Sequence, residues 1–170
     1  MALSHSETKE LVKLIEKLEW PLPKPIFHAL LGKIVSVAIE LCILDDKQNI
    51  LTFYRNDHEF VGHHTPGTVI RDSDKSIEEA LDRLIRTELK DYKISGPENI
   101  GWVHVSKGIG RGKNPTRHEV SLIYLAHVAS GCGEGVFSPI TRPPKDILSH
   151  QKVMLEKVSG YLKERIPLAG

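Results

Sequence analysis

The chain has 170 residues, 40% of them hydrophobic and 26% charged, enough for one domain with a substantial core and not the composition of a disordered or fibrous chain. The 23 Lys and Arg against 22 Asp and Glu leave a net charge of +1, which argues against a general nucleic-acid or membrane-surface binder. Cys42 and Cys132 have no metal-motif spacing and read as free thiols of a reducing compartment. With no signal peptide and no apolar run of membrane-spanning length, the expected localisation is cytoplasmic.

Apolar spacing predicts an amphipathic helix over Thr8–Leu18, with Leu11, Leu14, Ile15 and Leu18 on one face. Pro21, Pro23 and Pro25 force an extended linker, and Ile26–Leu31 suits a short helical turn. Ile34–Leu44 and Ile50–Tyr54 read as strands joined by a turn at residues 45–49. A His- and Gly-rich loop, Asn56–Gly67, then leads to a helix over Ser76–Asp91 that opens with the capping pair Ser76 and Glu79. Ile100–Val105 and Glu119–Val128 are further strands, and Lys145–Arg165 is a second amphipathic helix with Ile147, Leu148, Met154, Val158, Tyr161 and Leu162 inward. Strands interleaved with helices give a mixed α/β sheet domain. The expected divisions are an N-terminal helical extension and Pro-rich linker over 1–31, a central domain over 32–144 and a C-terminal helix packed on it over 145–170.

One residue breaks the pattern. In the helix carrying Ile77, Ala80, Leu81, Leu84, Ile85 and Leu89 as its apolar stripe, Glu88 falls near the middle of that stripe. A carboxylate there needs a partner: an arginine in a structural ion pair, or a metal or substrate group. Glu40, inside the apolar strand VAIELCIL, either points to a solvated face or joins a polar cluster with Glu88 or Arg83.

The order strand, turn, strand, His-rich loop, Pro66-Gly67, helix resembles the Nudix hydrolase domain over about Ile34 to Val128. Pro66-Gly67-Thr68 takes the place of that family's glycine turn, and Arg83-Leu84-Ile85-Arg86-Thr87-Glu88 that of its Arg-Glu-apolar-any-Glu-Glu helix. The chain departs from the pattern at Leu84 and Thr87, where the family has glutamates, and at Thr68, where it has a second glycine. Asp74 is nearest to the family's glutamate before the helix. Within the family, Arg83-Leu84-Ile85-Arg86-Thr87-Glu88-Leu89 and Thr116-Arg117-His118-Glu119-Val120 are similar to segments of the GDP-mannose mannosyl hydrolase branch. That branch also uses a Gln-His pair in a later loop; no pair matches it, since His150-Gln151 has the reverse order and lies in the tail helix.

The resemblance implies a Nudix-type α/β/α sandwich with a mixed sheet, and hydrolysis of a nucleoside diphosphate linked to another moiety, such as a nucleotide sugar. It implies one Mg²⁺ (or Mn²⁺) held by Gly67 and Glu88, with Arg83 orienting Glu88 and His118 or a basic loop residue binding or protonating the leaving group. Arg55 is placed to clamp a phosphate, its alternative being a strand-end surface charge. His63 and His64 flank the turn and either contact phosphate or base or are plain polar surface. The basic loop over residues 106–117, with Lys107, Arg111, Lys113 and Arg117, is either a solubilising hairpin or a positive flap over an anionic substrate. The expected partner is a small nucleotide derivative, with no nucleic acid and no membrane, and the C-terminal helix can support a homodimer. The competing expectation is a Nudix-like domain that binds a nucleotide-derived ligand or a protein without turning it over.

Overall fold

In the computed structural model, residues 3–57, 60–106, 118–131 and 133–165 are described. In chain order the elements are α1 (His5–Ile15), α2 (Lys24–Leu31), β1 (Val35–Leu44), β2 (Asn49–Asn56), β3 (Val61–His64), β4 (Gly67–Val69), α3 (Ile77–Glu88), β5 (Tyr92–Val105), β6 (His118–Gly131), β7 (Val136–Pro139) and α4 (Ser149–Arg165). Seven strands form a mixed sheet in the order β3-β2-β1-β6-β5, with β4 on β1 and β7 on β2.

Strand alternation explains the layers. In β1, Ile39, Leu41 and Ile43 face one side and pack with Ala80, Leu81 and Leu84 of α3. Cys42 and Leu44 face the other side and pack with Met154, Leu155 and Val158 of α4. The sheet is thus sandwiched between α3 and α4, the α/β/α architecture expected from the sequence. Cys42 is a free thiol, fully buried, and burial pushes its pKa up.

β1 organises the sheet. Along one edge it runs parallel to β6 over its full length, Val35↔His118 to Leu44↔His127. Its other edge changes partner, from β4 at Ala38, Ile39 and Glu40 to β2 at Leu44. The β1 face toward α4 changes character at the same place: Cys42 and Leu44 are core, whereas Ser36 and Glu40 are buried polar residues. Glu119 and Ser121 of β6 lie beside Ser36 and Ala38 in register. The polar half of this face is where the pocket forms.

Two short segments fasten that end of the molecule. Gly62 in β3 has φ +144°, and a Cβ there would lie 2.2 Å from the Asp146 carbonyl oxygen, so glycine alone lets the chain before α4 approach. His63 N–H then donates to Asp146 O at 3.1 Å and Leu148 N–H to His63 O at 2.9 Å, which sets the N-terminus of α4 against β3. At the other end of the chain, α1 is capped by Ser4 and Glu7, but none of its residues is buried.

Several elements differ from the expectations. The loop over Asn56–Gly67 contains β3 and runs into β4, and β7 is an added strand. β5 begins at Tyr92 rather than near Ile100, with irregularities between Lys93 and Ile94, Ser95 and Glu98, and Asn99 and Gly101. Leu84, where the resembling helix has a glutamate, is completely buried in the core. Substituting Leu84→Glu should therefore cost at least about 3 kcal/mol, from lost packing and an unpaired buried carboxylate, and urea unfolding will measure it.

Candidate functional site

The polar half of the sheet opens into a pocket of about 360 Å³. Glu40 and Ala38 of β1 and Glu119 of β6 lie along it, Gly67 and Thr68 of β4 and Glu88 at the end of α3 form one side, and Arg55 of β2 and His64 of β3 another. His150 and Gln151, from the first turn of α4, line it too.

Gln151 is the hub. Its Oε1 accepts from the Thr65 backbone N–H at 3.2 Å and from the Thr65 hydroxyl at 2.6 Å, and its Nε2 donates to Glu40 Oε2 at 3.2 Å. A backbone donor on one side and a carboxylate on the other allow only this orientation of the amide. The Thr65 hydroxyl also lies 3.0 Å from Glu40 Oε2. Gln151 and Thr65 are almost completely buried, at 2% and 1% exposure, so these bonds form out of bulk water and hold Glu40 firmly.

Two carboxylates converge on Gly67. Glu40 lies so close that a Cβ at position 67 would sit 2.8 Å from its carboxylate atoms. Glu88 lies near enough to the Gly67 backbone N–H for that donor to act on its carboxyl group. Glu88 closes the last turn of α3 and remains open to solvent, so it lies on the rim of the pocket rather than inside the apolar stripe that its spacing suggested. Protein atoms still crowd its carboxyl group. Desolvation raises its pKa, against the lowering effects of Arg55, the Gly67 N–H and Arg83.

Arg83 does not bond Glu88. Its guanidinium grips Asp74 through Nε at 2.8 Å and Nη2 at 2.6 Å, and also donates to Thr68 Oγ1 at 2.9 Å and Val69 O at 3.1 Å. It therefore ties α3 to β4 and the loop between them, and reaches Glu88 only through its charge. Asp74 is covered chiefly by these partners, and the Arg83 hydrogen bonds hold its carboxyl below the usual aspartate value.

Arg55 reaches the pocket with its guanidinium 4.7 Å from the Phe60 ring centre and paired to Asp57. His64 is half-buried, and desolvation lowers its pKa. Its Nδ1 lies 2.7 Å from Thr65 O; a carbonyl can only accept, so Nδ1 carries the proton and Nε2 keeps a lone pair in the neutral ring. His63 is on the opposite face of β3, within 3.1 Å of Thr52 Oγ1 and against the Tyr54 ring, and does not line the pocket. His118, assigned to the leaving group from the sequence, is paired instead with His104 in a near-parallel stack, Nε2 to Nδ1 3.2 Å, and is absent from the lining. Arg111 and Arg117, with Lys107 and Lys113, lie outside the described residues.

Sequence reasoning missed Gln151, Thr65 and Glu119. Glu119 is 1% exposed, and its two oxygens accept from Ser36 Oγ at 3.3 Å and Ser121 Oγ at 2.8 Å. Its only sequence signal was a charged residue at an inward position of an apolar strand, beside a serine two residues on.

No family model matches the sequence, and no curated protein matches it. Solved structures do. A MutT/Nudix family protein from Listeria innocua superposes with TM-score 0.57 at 18% identity, over 79% of this chain and 98% of its own. The fold is that of the Nudix hydrolases. A protein from Jonesia denitrificans, described as a possible asymmetric diadenosine tetraphosphate hydrolase, gives TM-score 0.55 at 14% identity over 79% of this chain and 98% of its own. The Nudix domain of Shewanella oneidensis NrtR, solved with ADP ribose, gives 0.53 at 15% identity over 94% of this chain and 99% of its own.

Among the described residues no group of three or more His, Cys, Asp and Glu is arranged to hold a metal ion, so a closed protein cage is not present there. The donors at Gly67 are nonetheless hard oxygens, and Mg²⁺ is commonly held by one or two carboxylates completed by water and substrate phosphate. Glu40, Glu88 and the Gly67 backbone fit that mode of binding.

Asp74→Asn should cost about 1–3 kcal/mol at neutral pH. Because the native pKa of Asp74 is lowered, its contribution is present above the unfolded value of about 3.9, and the gap to wild type should close as pH falls below it. Glu88 has the opposite sign: its pKa is raised, so the ionised group opposes folding at neutral pH. Glu88→Gln in metal-free protein should be neutral or slightly stabilising at pH 7, by less than about 1 kcal/mol given its exposure, with no gain near pH 3; chemical denaturation across pH will measure both.

Proposed function

We propose that the protein hydrolyses a nucleoside diphosphate linked to another moiety, with nucleotide sugars as the first class to test, aided by one Mg²⁺ or Mn²⁺. The observation that carries this reading is the meeting of Glu40 and Glu88 at Gly67, in a pocket that also presents Arg55. Carboxylates alone would repel a diphosphate; carboxylates beside an arginine make sense when a cation sits between them and the phosphates.

Bound there, the metal would be held by Glu88, Glu40 and the Gly67 backbone, and its chemistry is to polarise the phosphate and acidify water. The remaining roles belong to the chain. Arg55 neutralises phosphate oxygens and offers paired N–H donors. Gln151 and Thr65 hold Glu40 at Gly67, and Arg83 with Asp74 holds the β4–α3 connection that presents Gly67 and Glu88. His64 offers the Nε2 lone pair of a neutral ring to a substrate N–H or O–H. Ligands of Nudix-fold proteins support the substrate class: the NrtR domain was solved with ADP ribose.

A second reading, binding without turnover, is favoured by the helix positions that carry no carboxylate. Leu84 is core, and the Thr87 hydroxyl is spent on the Arg83 carbonyl at 2.8 Å. A panel of nucleoside diphosphate derivatives with Mg²⁺ or Mn²⁺ separates the two. On the hydrolase reading at least one compound turns over, and Glu88→Gln lowers kcat/KM by roughly 100-fold or more. If none turns over above the variant's rate while calorimetry detects ADP-ribose or GDP-mannose, the binding reading stands.

A further inference from the structure

The charged pocket does not stand alone. Trp20, Phe27 and Val69 line both it and a second cavity of about 390 Å³. The second cavity is lined by Leu22, Leu30, Leu31, Val37 and Ile70 among others, and among the described residues Ser36 brings its only side-chain hydroxyl. That hydroxyl is already donated toward Glu119 and the His118 carbonyl. Trp20 and Phe27 stand edge to face, ring centres 5.9 Å apart at 76°, at the junction of the two. On the charged side, Arg71 lies 5.8 Å from the Trp20 ring centre and lines the pocket.

We propose that the substrate is an amphiphile: a diphosphate head in the pocket of Glu40, Glu88 and Arg55, joined to an apolar group that lies in the second cavity. This rests on reading the first pocket as a diphosphate site, and replaces the sugar with an apolar group as the moiety linked to the diphosphate. A sugar placed beyond the diphosphate would bring several hydroxyls into a cavity that offers them almost no partners, each an unmet hydrogen bond. A hydrocarbon chain meets no such cost and removes apolar wall from water. Val37 and Ile34 keep 41% and 56% of their surface exposed, so the cavity wall has apolar area left to cover. Both cavities fall in the size range of small-molecule sites, and they adjoin at Trp20, Phe27 and Val69, so one ligand whose linker passes these side chains can meet both. The N-terminal segment thereby selects the substrate, since Trp20, Leu22, Phe27, Leu30 and Leu31 all precede the sheet.

The test uses methyl, butyl and octyl esters of methylenediphosphonate, which cannot be hydrolysed at the bridge, titrated calorimetrically into the full chain with Mg²⁺. Each added methylene should tighten Kd roughly fourfold until the cavity is full. Leu22→Gln and Val37→Gln, both at partly exposed positions, should flatten this series and leave the methyl ester's affinity unchanged. A flat series in the wild-type protein, or a slope that neither substitution alters, overturns the proposal. A flat series together with a dimer that either substitution dissociates, seen by sedimentation, overturns it in favour of a second copy filling the cavity. If no ester binds, the methyl one included, the diphosphate reading itself fails and this inference with it.

Discussion

The site depends on one buried amide. Gln151 fixes its own orientation by taking a backbone N–H from Thr65 and giving an N–H to Glu40. Through those two bonds it joins α4 to the segment between β3 and β4, and both to β1. Removing it would leave the buried Thr65 N–H without its acceptor and take one amide donor from Glu40, both costly in a buried setting. Gly67 completes the constraint from the other side, because no side chain fits between it and the Glu40 carboxylate.

A redistribution of charge follows. The α3 helix supplies one carboxylate to the pocket, at its last residue, while Leu84 serves the core and the Thr87 hydroxyl bonds the helix backbone. The strands supply the rest: Glu40 from β1 and Glu119 from β6, both on the face that changes from apolar to polar along β1. Arg83 belongs to the scaffold in this arrangement. It clamps Asp74 and two groups of β4, so the geometry at Gly67 is set through the loop and not by contact with Glu88.

How much was legible follows from which physical signals are local. β1, β6, α3 and α4 have long periodic apolar faces, and the sequence placed them within a few residues. β4 and β7 have three and four residues, too short for alternation to register, and the first half of β5 is mostly exposed and interrupted by irregular pairing. Glu88 stands out by its spacing, Gly67 by the resemblance of its turn, and Arg55 and His64 by their places at a strand end and beside that turn; the pocket includes all four. His63 and His64 look equivalent in sequence, as they would be in a loop; in a strand, neighbours face opposite sides. Gln151 lies in the tail helix, and nothing local in the sequence distinguishes it from surface. Its role exists only once α4 has packed against β3, and no local pattern encodes that.

The tie between β3 and α4 has a consequence for how the site comes into being. Thr65 and Gln151 are 86 positions apart, and Glu40 and Gln151 are 111 apart. Contacts of that separation close large loops, and their entropy must be met before they stabilise anything. During synthesis the sheet strands and α3 emerge well before α4, so Glu40 spends that interval without its amide partner. A ligand that engages Glu40 in the docked arrangement would favour that arrangement by mass action.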